Sequence, residues 1–194
     1  AILGKPNVGK SSLFNRFLMQ RVAITSEESG TTRDVNKKIA DFDGYEAQLL
    51  DTGGIDKSSG MFETVRKLSL EAATQADIIL YVVDGKGLPE EEDKALFYQL
   101  QSLGKPIALV VNKVDNDKLE LERFVEFYSF GAEHIFPVSV SHNRRLPALR
   151  GWIINLLKKD EGESASLKEA LLASAQNEEP SLETFLDEVE QKPE

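Results

Sequence analysis

The feature that most constrains this chain is a glycine-rich segment near its start, Gly4-Lys5-Pro6-Asn7-Val8-Gly9-Lys10-Ser11. Two glycines with four residues between them let the backbone turn its N–H groups inward, and a lysine and a hydroxyl residue follow directly. Ile2 and Leu3 before the segment are typical of a strand end. The apolar residues after it recur at helical spacing: Leu13, Phe14, Phe17 and Leu18. This order predicts a strand, a phosphate-binding loop and a helix whose N-terminus faces the phosphates.

The residue types within this loop indicate separate roles toward a nucleotide. Lys10 would neutralise the outer phosphates, and Ser11 would hold a magnesium ion, because this hard cation prefers oxygen ligands. The other predicted nucleotide contacts come from the neighbouring residues Asn7, Val8, Gly9 and Ser12. A glycine–proline loop that matches the pattern by chance is the alternative, and the flanking strand and helix disfavour it.

Length and composition narrow the class of protein. The 194 residues suffice for one α/β domain with a full core and are too few for two. The lack of cysteine excludes a disulfide scaffold and any cysteine-ligated metal centre, and no run reaches the length of a membrane span. We therefore expect a soluble cytoplasmic protein with no membrane partner. Because the first strand starts at once at Ala1, we also expect that a few residues precede it.

The net charge of −10 is unevenly distributed along the chain. Residues 158–194 carry 11 acidic and 4 basic side chains, against 22 and 19 in residues 1–157. The second set is close to neutral and shows no basic face, so we expect no strong nucleic-acid binding by these residues alone. This distribution predicts a domain at 1–157 and an acidic, partly helical linker at 158–194.

Strand and helix signals alternate along the first 157 residues. An antiparallel pair at 35–42 and 45–50 flanks Asp43-Gly44, which is a strong hairpin turn signal. Further strands are predicted at 78–83, 106–111 and 134–138, and helices at 62–75, 89–103, 118–128 and 144–157. Ser166 to Glu169 fits a capping box, which predicts that a separate helix begins there. The pattern predicts an α/β fold, a three-layer sandwich with a mostly parallel sheet and one antiparallel edge strand.

Polar motifs follow several of these strands, where ligands of parallel sheets bind. Asp51-Thr52-Gly53-Gly54 ends a strand, so the Asp51 carboxylate can reach a magnesium ion through water and the Gly54 N–H can bond a terminal phosphate. An ordinary turn is the alternative for this segment. In the polar loop at 21–34, Thr31 or Thr32 could complete the magnesium shell, and a plain turn is an equally good interpretation of either residue.

Asn112-Lys113-Val114-Asp115 directly follows a buried strand and suits a guanine base. The Asp115 carboxylate can accept two parallel N–H bonds from guanine, which adenine does not offer. The stem and charge of Lys113 can lie over the purine face, and Asn112 can tie this loop to the phosphate-binding loop. The backbone N–H groups after the last strand, at Ser139, Val140 and Ser141, could bond the guanine carbonyl oxygen. A polar loop without a ligand remains the alternative.

Taken together, these motifs resemble the GTPase superfamily of P-loop proteins over residues 1–157. Residues 4–11 with Gly30-Thr31-Thr32-Arg33-Asp34 are similar to the TrmE–Era–EngA class of bacterial GTPases, and 51–54 with 112–115 are most similar to the first G domain of the Der (EngA) family. The resemblance implies a P-loop NTPase G domain with GTP or GDP and magnesium as ligands. It also implies a role in assembly of the large ribosomal subunit, reached through the full-length protein, and a partner domain of the same chain for the acidic linker.

The resemblance also assigns the catalytic residues, and one position departs from the pattern. The assigned residues are Lys10, Thr32, Gly54 and Asn7. Ile55 stands where a water-positioning glutamine is usual, so we expect slow intrinsic turnover that potassium, held at Asn7, stimulates. Thr32 is preferred to Thr31 as magnesium ligand. Three alternatives stay open: a nucleotide-responsive binding module, an Era- or MnmE-like GTPase, and an ATP-using P-loop enzyme, which Asp115 disfavours.

Overall fold

The computed structural model of the chain describes residues 1–19, 36–52 and 62–177, with side chains to Leu172. The strands are β1 (Ile2–Leu3), β2 (Asn36–Phe42), β3 (Tyr45–Asp51), β4 (Ile79–Asp84), β5 (Ile107–Asn112) and β6 (Ile135–Pro137). The α-helices are α1 (Lys10–Leu18), α2 (Phe62–Gln75), α3 (Glu91–Gln101), α4 (Asp117–Arg123) and α5 (Leu146–Asn177). A 3-10 helix (Phe124–Phe130) follows α4 directly.

Within the described ranges, six strands form one sheet in the order β2-β3-β1-β4-β5-β6. The β2–β3 pair is antiparallel and all other pairs are parallel. The predicted hairpin turn is present, with φ of 57° at Asp43 and 93° at Gly44, as a two-residue turn with two positive φ angles requires. The predicted fold class, including its antiparallel edge strand, is therefore confirmed.

Helices cover both faces of this sheet. On one face, the apolar core joins alternate residues of β4 and β5 to α2, α3 and the 3-10 helix, with Tyr81 and Phe97 fully buried at its centre. On the other face, the ring of Phe17 in α1 meets that of Phe42 in β2 at 5.3 Å, and Arg150 of α5 lies 5.2 Å from the Phe42 ring centre. These layers bury the two long central strands on both sides, which explains their continuous apolar runs.

Two helical predictions were wrong in their ends. The predicted helix at 118–128 is α4 followed by a 3-10 helix, whose three-residue turn places Phe124, Phe127 and Phe130 on the face toward the core. The predicted break before the capping box is absent, because α5 runs without interruption to Asn177. Strong helix formers fill most of residues 158–172, and the single Gly162 costs only about 1 kcal/mol in a helix interior.

The chain divides into two compact units, Ala1–Ile154 and a second that begins at Asn155. In the described part of the second unit, all residues belong to α5, and Leu167, Leu171 and Leu172 are each at least 60% exposed. No helix in the described ranges combines the length and the apolar content that crossing a membrane requires.

Candidate nucleotide-binding site

The candidate site lies where the connections of the sheet diverge. β1 lies between β3 and β4; the chain passes first to the β3 side and then crosses to β4. Such a switch point opens a crevice at the carboxyl ends of the strands, and ligands of open α/β sheets bind there. The loop that leaves β1 at this point is Gly4–Gly9, the predicted phosphate-binding loop.

Neighbouring atoms leave no room for a side chain at either glycine of this loop. Gly4 has φ of +142°, and a Cβ there would lie 2.2 Å from the carbonyl oxygen of Val82. Gly9 has φ of +102°, and a Cβ there would lie 2.2 Å from Nδ2 of Asn112. The loop therefore accepts no side chain at either position without moving β4 or the Asn112 amide.

The N-terminus of α1 suits an anion. Gly9 is its N-cap, no side chain in the described ranges caps it, and the first helical bond runs from the Leu13 N–H to the Gly9 carbonyl at 3.0 Å. In the first helical turn, the N–H groups of Ser11 and Ser12 therefore point out of the helix N-terminus and have no acceptor within the helix. Together with the helix dipole, these donors form a ready site for a phosphate.

Lys10 is fixed across the loop that precedes it. Its side chain is almost fully buried, and Nζ donates to the carbonyl oxygens of Gly4 at 2.9 Å and Lys5 at 2.6 Å. These contacts aim the ammonium group at the concave side of the loop. A phosphate entering there would meet both the charge of Lys10 and the N–H groups of α1.

Ser11 and Asp51 meet at the start of α1, although they are forty positions apart in the sequence. Ser11 Oγ donates to Asp51 Oδ2 at 3.1 Å, and Asp51 is only 1% exposed at the end of β3. In the described ranges no group of three or more His, Asp or Glu side chains forms a metal cage. Magnesium in nucleotide sites takes one or two protein ligands and completes its shell with phosphate and water, so this oxygen pair fits it.

Asn112, at the end of β5, connects three loops. Its Nδ2 donates to the Val8 carbonyl at 2.9 Å, and its Oδ1 accepts from the Val140 N–H at 3.1 Å. The side chain is 4% exposed, so both bonds are shielded from water. The predicted tie between this strand end and the phosphate-binding loop is therefore present, and the same amide also holds the loop after β6.

Lys113 makes a second connection to the phosphate-binding loop. Its Nζ donates to the Asn7 carbonyl at 2.7 Å and to Asp84 Oδ2 at 2.6 Å. The residue has φ of +66°, which is uncommon for a side chain of this type, and Asn7 has φ of +63°. The long side chain thus bridges the loops after β1 and β5 and leaves its stem available to a flat base.

Asp115 is held from two sides. Ser139 Oγ donates to Oδ1 at 2.8 Å, and Lys86 Nζ lies 2.9 Å from Oδ2. The hydrogen bonds from Lys86 and from Ser139 lower the pKa of Asp115 below its usual value. The hydrogen bond to Asp115 in turn raises the pKa of Lys86. The carboxylate therefore stays ionised at neutral pH and keeps a fixed orientation, as an acceptor of two guanine N–H groups requires.

Two of the three backbone donors predicted to face the guanine carbonyl are engaged in the loop itself. The Ser139 N–H donates to the Arg144 carbonyl at 3.1 Å, and the Val140 N–H donates to Asn112 Oδ1. Within the described ranges, the next N–H group, that of Ser141, donates no hydrogen bond. The assignment of these backbone donors stays a prediction, and Ser141 is the one of the three whose N–H group, in the described part of the chain, is free of a bond within the loop.

The remaining predicted residues lie outside the described ranges. Thr31 and Thr32 belong to residues 20–35, and Gly54 and Ile55 to residues 53–61. Their roles stay predictions.

Sequence reasoning missed two groups of residues at this edge of the sheet. Asp84, the last residue of β4, and the next two residues, Gly85 and Lys86, contact the 112–115 loop; the Asp-Gly pair at the strand end was an available turn signal. Lys5 in the phosphate-binding loop pairs with Glu90 at 2.5 Å and with two more acids of the 90–93 segment. Burial alone would lower the pKa of Lys5, but the hydrogen bond to Glu90 and the other acids raise it.

Comparison with known proteins agrees with this geometry. Residues 1–113 match the family described as 50S ribosome-binding GTPase. GTPase Der of Nitratiruptor sp. is 58% identical over 171 residues, which are 88% of this chain and 37% of that protein. GTPase Der of Helicobacter hepaticus is 50% identical over 195 residues, which cover 100% of this chain and 39% of that protein. The chain thus spans about two-fifths of the length of these relatives.

Solved structures with a similar fold hold guanine nucleotides. Era of Aquifex aeolicus, a variant bound to GDP and AlF4−, is 28% identical with a TM-score of 0.61, over 81% of this chain and 55% of that one. Era in complex with MgGDPNP and nucleotides 1506–1542 of 16S ribosomal RNA is 29% identical with a TM-score of 0.59, over 81% and 54%.

The family match covers more than half of the chain, and its residues include the phosphate-binding loop, the Ser11–Asp51 pair and the first two residues of Asn112–Asp115, the predicted base-reading loop. The resemblance to the Der family that the motifs predicted is confirmed by relatives of that name. This chain therefore belongs to the family of 50S ribosome-binding GTPases.

Proposed function

We propose that this chain binds GTP and GDP with magnesium, hydrolyses GTP as a molecular switch in the cytoplasm, and acts in assembly of the large ribosomal subunit. The observation that carries the proposal is the double bridge from the base-reading loop to the phosphate-binding loop, Asn112 to Val8 and Lys113 to Asn7. These bonds tie the loop that carries Asp115, the carboxylate proposed to select guanine, to the proposed phosphate cradle, and so they support one site for a whole nucleotide. A nucleotide spans such a pair of subsites, whereas a phosphate ion alone needs only one of them.

The phosphate end of the proposed site relies on fixed donors. Lys10 and the first N–H groups of α1 would bind the phosphates, and Ser11 with Asp51 would hold magnesium, directly and through water respectively. The metal, when bound, neutralises charge on the phosphate oxygens. Because Lys10 already has its charge oriented by two carbonyls, it needs little reorganisation to stabilise charge that develops as the γ-phosphoryl group transfers to water.

The base end would select guanine through Asp115. Its carboxylate can accept from the ring N–H and the exocyclic amine, while Ser139 and Lys86 hold it in place. Adenine presents an acceptor where guanine presents the ring donor and lacks the exocyclic amine beside it, so ATP would make neither of the two bonds to the Asp115 carboxylate. Failure to pair a charged acceptor is a strong basis for discrimination.

Turnover by this domain is proposed to be slow and stimulated by potassium. Ile55 cannot orient the attacking water, so another element has to supply charge near the γ-phosphate. Within the described ranges the exposed Asn7 side chain makes no hydrogen bond, while its backbone carbonyl is held by Lys113. Asn7 is therefore available as a potassium ligand at the edge of the loop.

Calorimetry and single-turnover kinetics test these statements on the 194-residue chain. GDP should bind at least tenfold more tightly than ADP, and GTP hydrolysis should be faster in potassium than in sodium at equal ionic strength. A preference for ADP would overturn the guanine site. Equal turnover in the two salts would overturn potassium at Asn7, and Asn7→Ala should remove any difference.

A nucleotide-responsive binding module is the second candidate, favoured by Ile55. It predicts tight GTP binding without measurable single-turnover hydrolysis, even with potassium.

The magnesium role of Thr32 has a matched control in the adjacent hydroxyl residue, Thr31: Thr32→Ala should slow hydrolysis more than Thr31→Ala. Equal effects of the two substitutions would argue against Thr32 as the ligand.

The proposed partner is the large ribosomal subunit or its precursor. The family description supports it, since it names 50S ribosome binding. The Era structure contains 16S ribosomal RNA, which belongs to the small subunit, so it supports ribosome contact by a related GTPase but not this particular partner. Because this chain spans about two-fifths of its relatives, we propose that ribosome binding requires the full-length protein. The segment 158–194 would then connect the domain at 1–157 to a partner domain of the same protein. Co-sedimentation of full-length protein with 50S subunits, with and without a GTP analogue, measures this.

A further inference from the structure

Three residues at the end of β4 run beside the base-reading loop. In the parallel β4–β5 pair, Asp84 is the register partner of Asn112, so the residues that leave the two strands stay next to each other. We refer to Asp84, Gly85 and Lys86 as the β4-end segment. None of the three belongs to the motifs that predicted the site.

Gly85 makes a backbone contact with the loop. Its N–H donates to the Asn112 carbonyl at 2.6 Å. A Cβ at position 85 would lie 2.8 Å from that oxygen and 2.9 Å from Cγ2 of Val114. The close approach therefore depends on glycine, and it fixes the spacing between the end of β4 and the base-reading loop.

Asp84 holds the side chain of Lys113. Its Oδ2 accepts from Lys113 Nζ at 2.6 Å, and its Oδ1 accepts from the Lys86 N–H at 2.9 Å. The second bond fixes the carboxylate in a local turn, so it offers Lys113 a rigid partner. Lys113 has a positive φ, and pinning its Nζ between Asp84 and the Asn7 carbonyl compensates for this unusual backbone.

Lys86 completes the set by holding Asp115. Its Nζ lies 2.9 Å from Asp115 Oδ2, while its own carbonyl accepts from Arg123 of α4 at 3.1 Å. Each carboxylate oxygen can accept more than one hydrogen bond. Guanine can therefore bind Asp115 while Lys86 and Ser139 stay in place.

We propose that the β4-end segment is a positioning element for guanine recognition, which holds Asn112, Lys113 and Asp115 of the base-reading loop in their binding geometry. The inference rests on the proposed guanine site and adds to it a specificity-determining segment. Asp84 orients Lys113, which would cover the base. Gly85 sets the distance between the end of β4 and the base-reading loop. Lys86 orients the carboxylate of Asp115, which would bind the base edge.

Calorimetric titration with GDP and with IDP, which lacks the exocyclic amine that Asp115 would bind, tests the inference. Asp84→Ala and Lys86→Met should each weaken GDP binding about 3- to 10-fold, as expected for loss of one partly exposed charged contact. Both should also reduce the ratio of the IDP to the GDP dissociation constant, because a misplaced Asp115 carboxylate forms a weaker hydrogen bond with the exocyclic amine that only GDP has. Asp84→Asn should recover most of the affinity, because its amide oxygen can still accept from Lys113.

The matched control is Lys118→Met, which breaks an exposed pair with Glu122 on α4 and should change neither affinity nor the ratio. Thermal unfolding of each variant checks that the domain stays folded; a general loss of structure would weaken GDP and IDP equally. Unchanged affinity and ratio in both variants would overturn the inference, as would tighter GDP binding by Lys86→Met, which would mean that Lys86 competes with the base. If the unmodified chain does not prefer GDP to ADP, the proposed function fails and this inference fails with it.

Discussion

Removing the side chain of Asn112 should destabilise the domain, because this buried amide at the end of β5 holds two other loops in place. Asn112→Ala deletes a donor to the Val8 carbonyl and an acceptor from the Val140 N–H, both in buried surroundings. Each orphaned group costs about 1–3 kcal/mol, and water entering the vacated space recovers part of it. We therefore expect a loss of about 2–4 kcal/mol in the free energy of unfolding, from a typical total of about 5–15 kcal/mol.

Urea unfolding followed by the fluorescence of Trp152 measures this loss. Trp152 is the single tryptophan, lies in the first compact unit and contacts the rings of His134 and Phe136. The control is Asn116→Ala, which removes an exposed N-cap of α4 and should cost about 1 kcal/mol. If Asn112→Ala is no less stable than Asn116→Ala, the connection of three loops through this amide does not contribute as the structure indicates.

Three further substitutions and one titration test other parts of the structure. Gly9→Ala should destabilise the domain by about 1–3 kcal/mol even without nucleotide, because its Cβ would displace the Asn112 amide; unchanged urea unfolding would contradict this. Lys105→Ala removes three bonds to carbonyls at the end of α2 and should lower stability by about 1–2 kcal/mol, measured the same way. Asp115→Asn should shift nucleotide preference toward XDP in calorimetry, and retained GDP preference would refute its role. Because Lys86 and Ser139 lower the pKa of Asp115, the ratio of the IDP to the GDP dissociation constant, in which protonation of the shared phosphates cancels, should stay constant as the pH falls from neutral to the ordinary carboxyl range, about pH 4; a decline of this ratio at higher pH would contradict the assignment.

Much of the fold follows from local patterns in the sequence. The buried strands β4 and β5 are uninterrupted apolar runs, and Asp43-Gly44 is a turn whose two positive φ angles few other pairs tolerate. These signals act within a few residues, so they predict strand positions to within one or two residues. The alternation of strands and helices then restricts the sheet to a parallel arrangement with right-handed crossovers.

Helix ends were less predictable, because packing and continuity compete with local stop signals. Serine is favoured at helix N-caps, so Ser166 predicted a helix start. No residue after Leu157 breaks the helix, however, and each added residue extends α5 at little cost in free energy. The three-residue spacing of Phe124, Phe127 and Phe130 was present in the sequence. Packing of these rings against the core favours the three-residue turn of a 3-10 helix over the 3.6-residue turn of an α-helix.

The polar contacts between loops depend on strand order, which no single motif encodes. Lys10, Ser11 and Asp51 could be assigned because each belongs to a short pattern with a known chemical requirement. For Asp84 and Lys86 the Asp-Gly pair at the strand end indicates only a turn, and their contacts with the 112–115 loop arise because β4 lies between β1 and β5. The same order explains why Asn112 reaches Val8 across more than a hundred residues of chain.

These contacts also indicate how the two ends of a bound nucleotide would be coupled. Val8 and Asn7 of the phosphate-binding loop accept bonds from Asn112 and Lys113, so a change in the shape of one loop moves the donors of the other. A base that fits Asp115 would therefore favour the phosphate-binding geometry before the phosphates arrive, and phosphates would favour the base geometry by the same free energy. Guanosine should accordingly bind more tightly when pyrophosphate is present, and Asn112→Ala should reduce that cooperativity more than it reduces the affinity for pyrophosphate alone. Independent binding of the two fragments by the unmodified chain would show that the bridges are structural supports only.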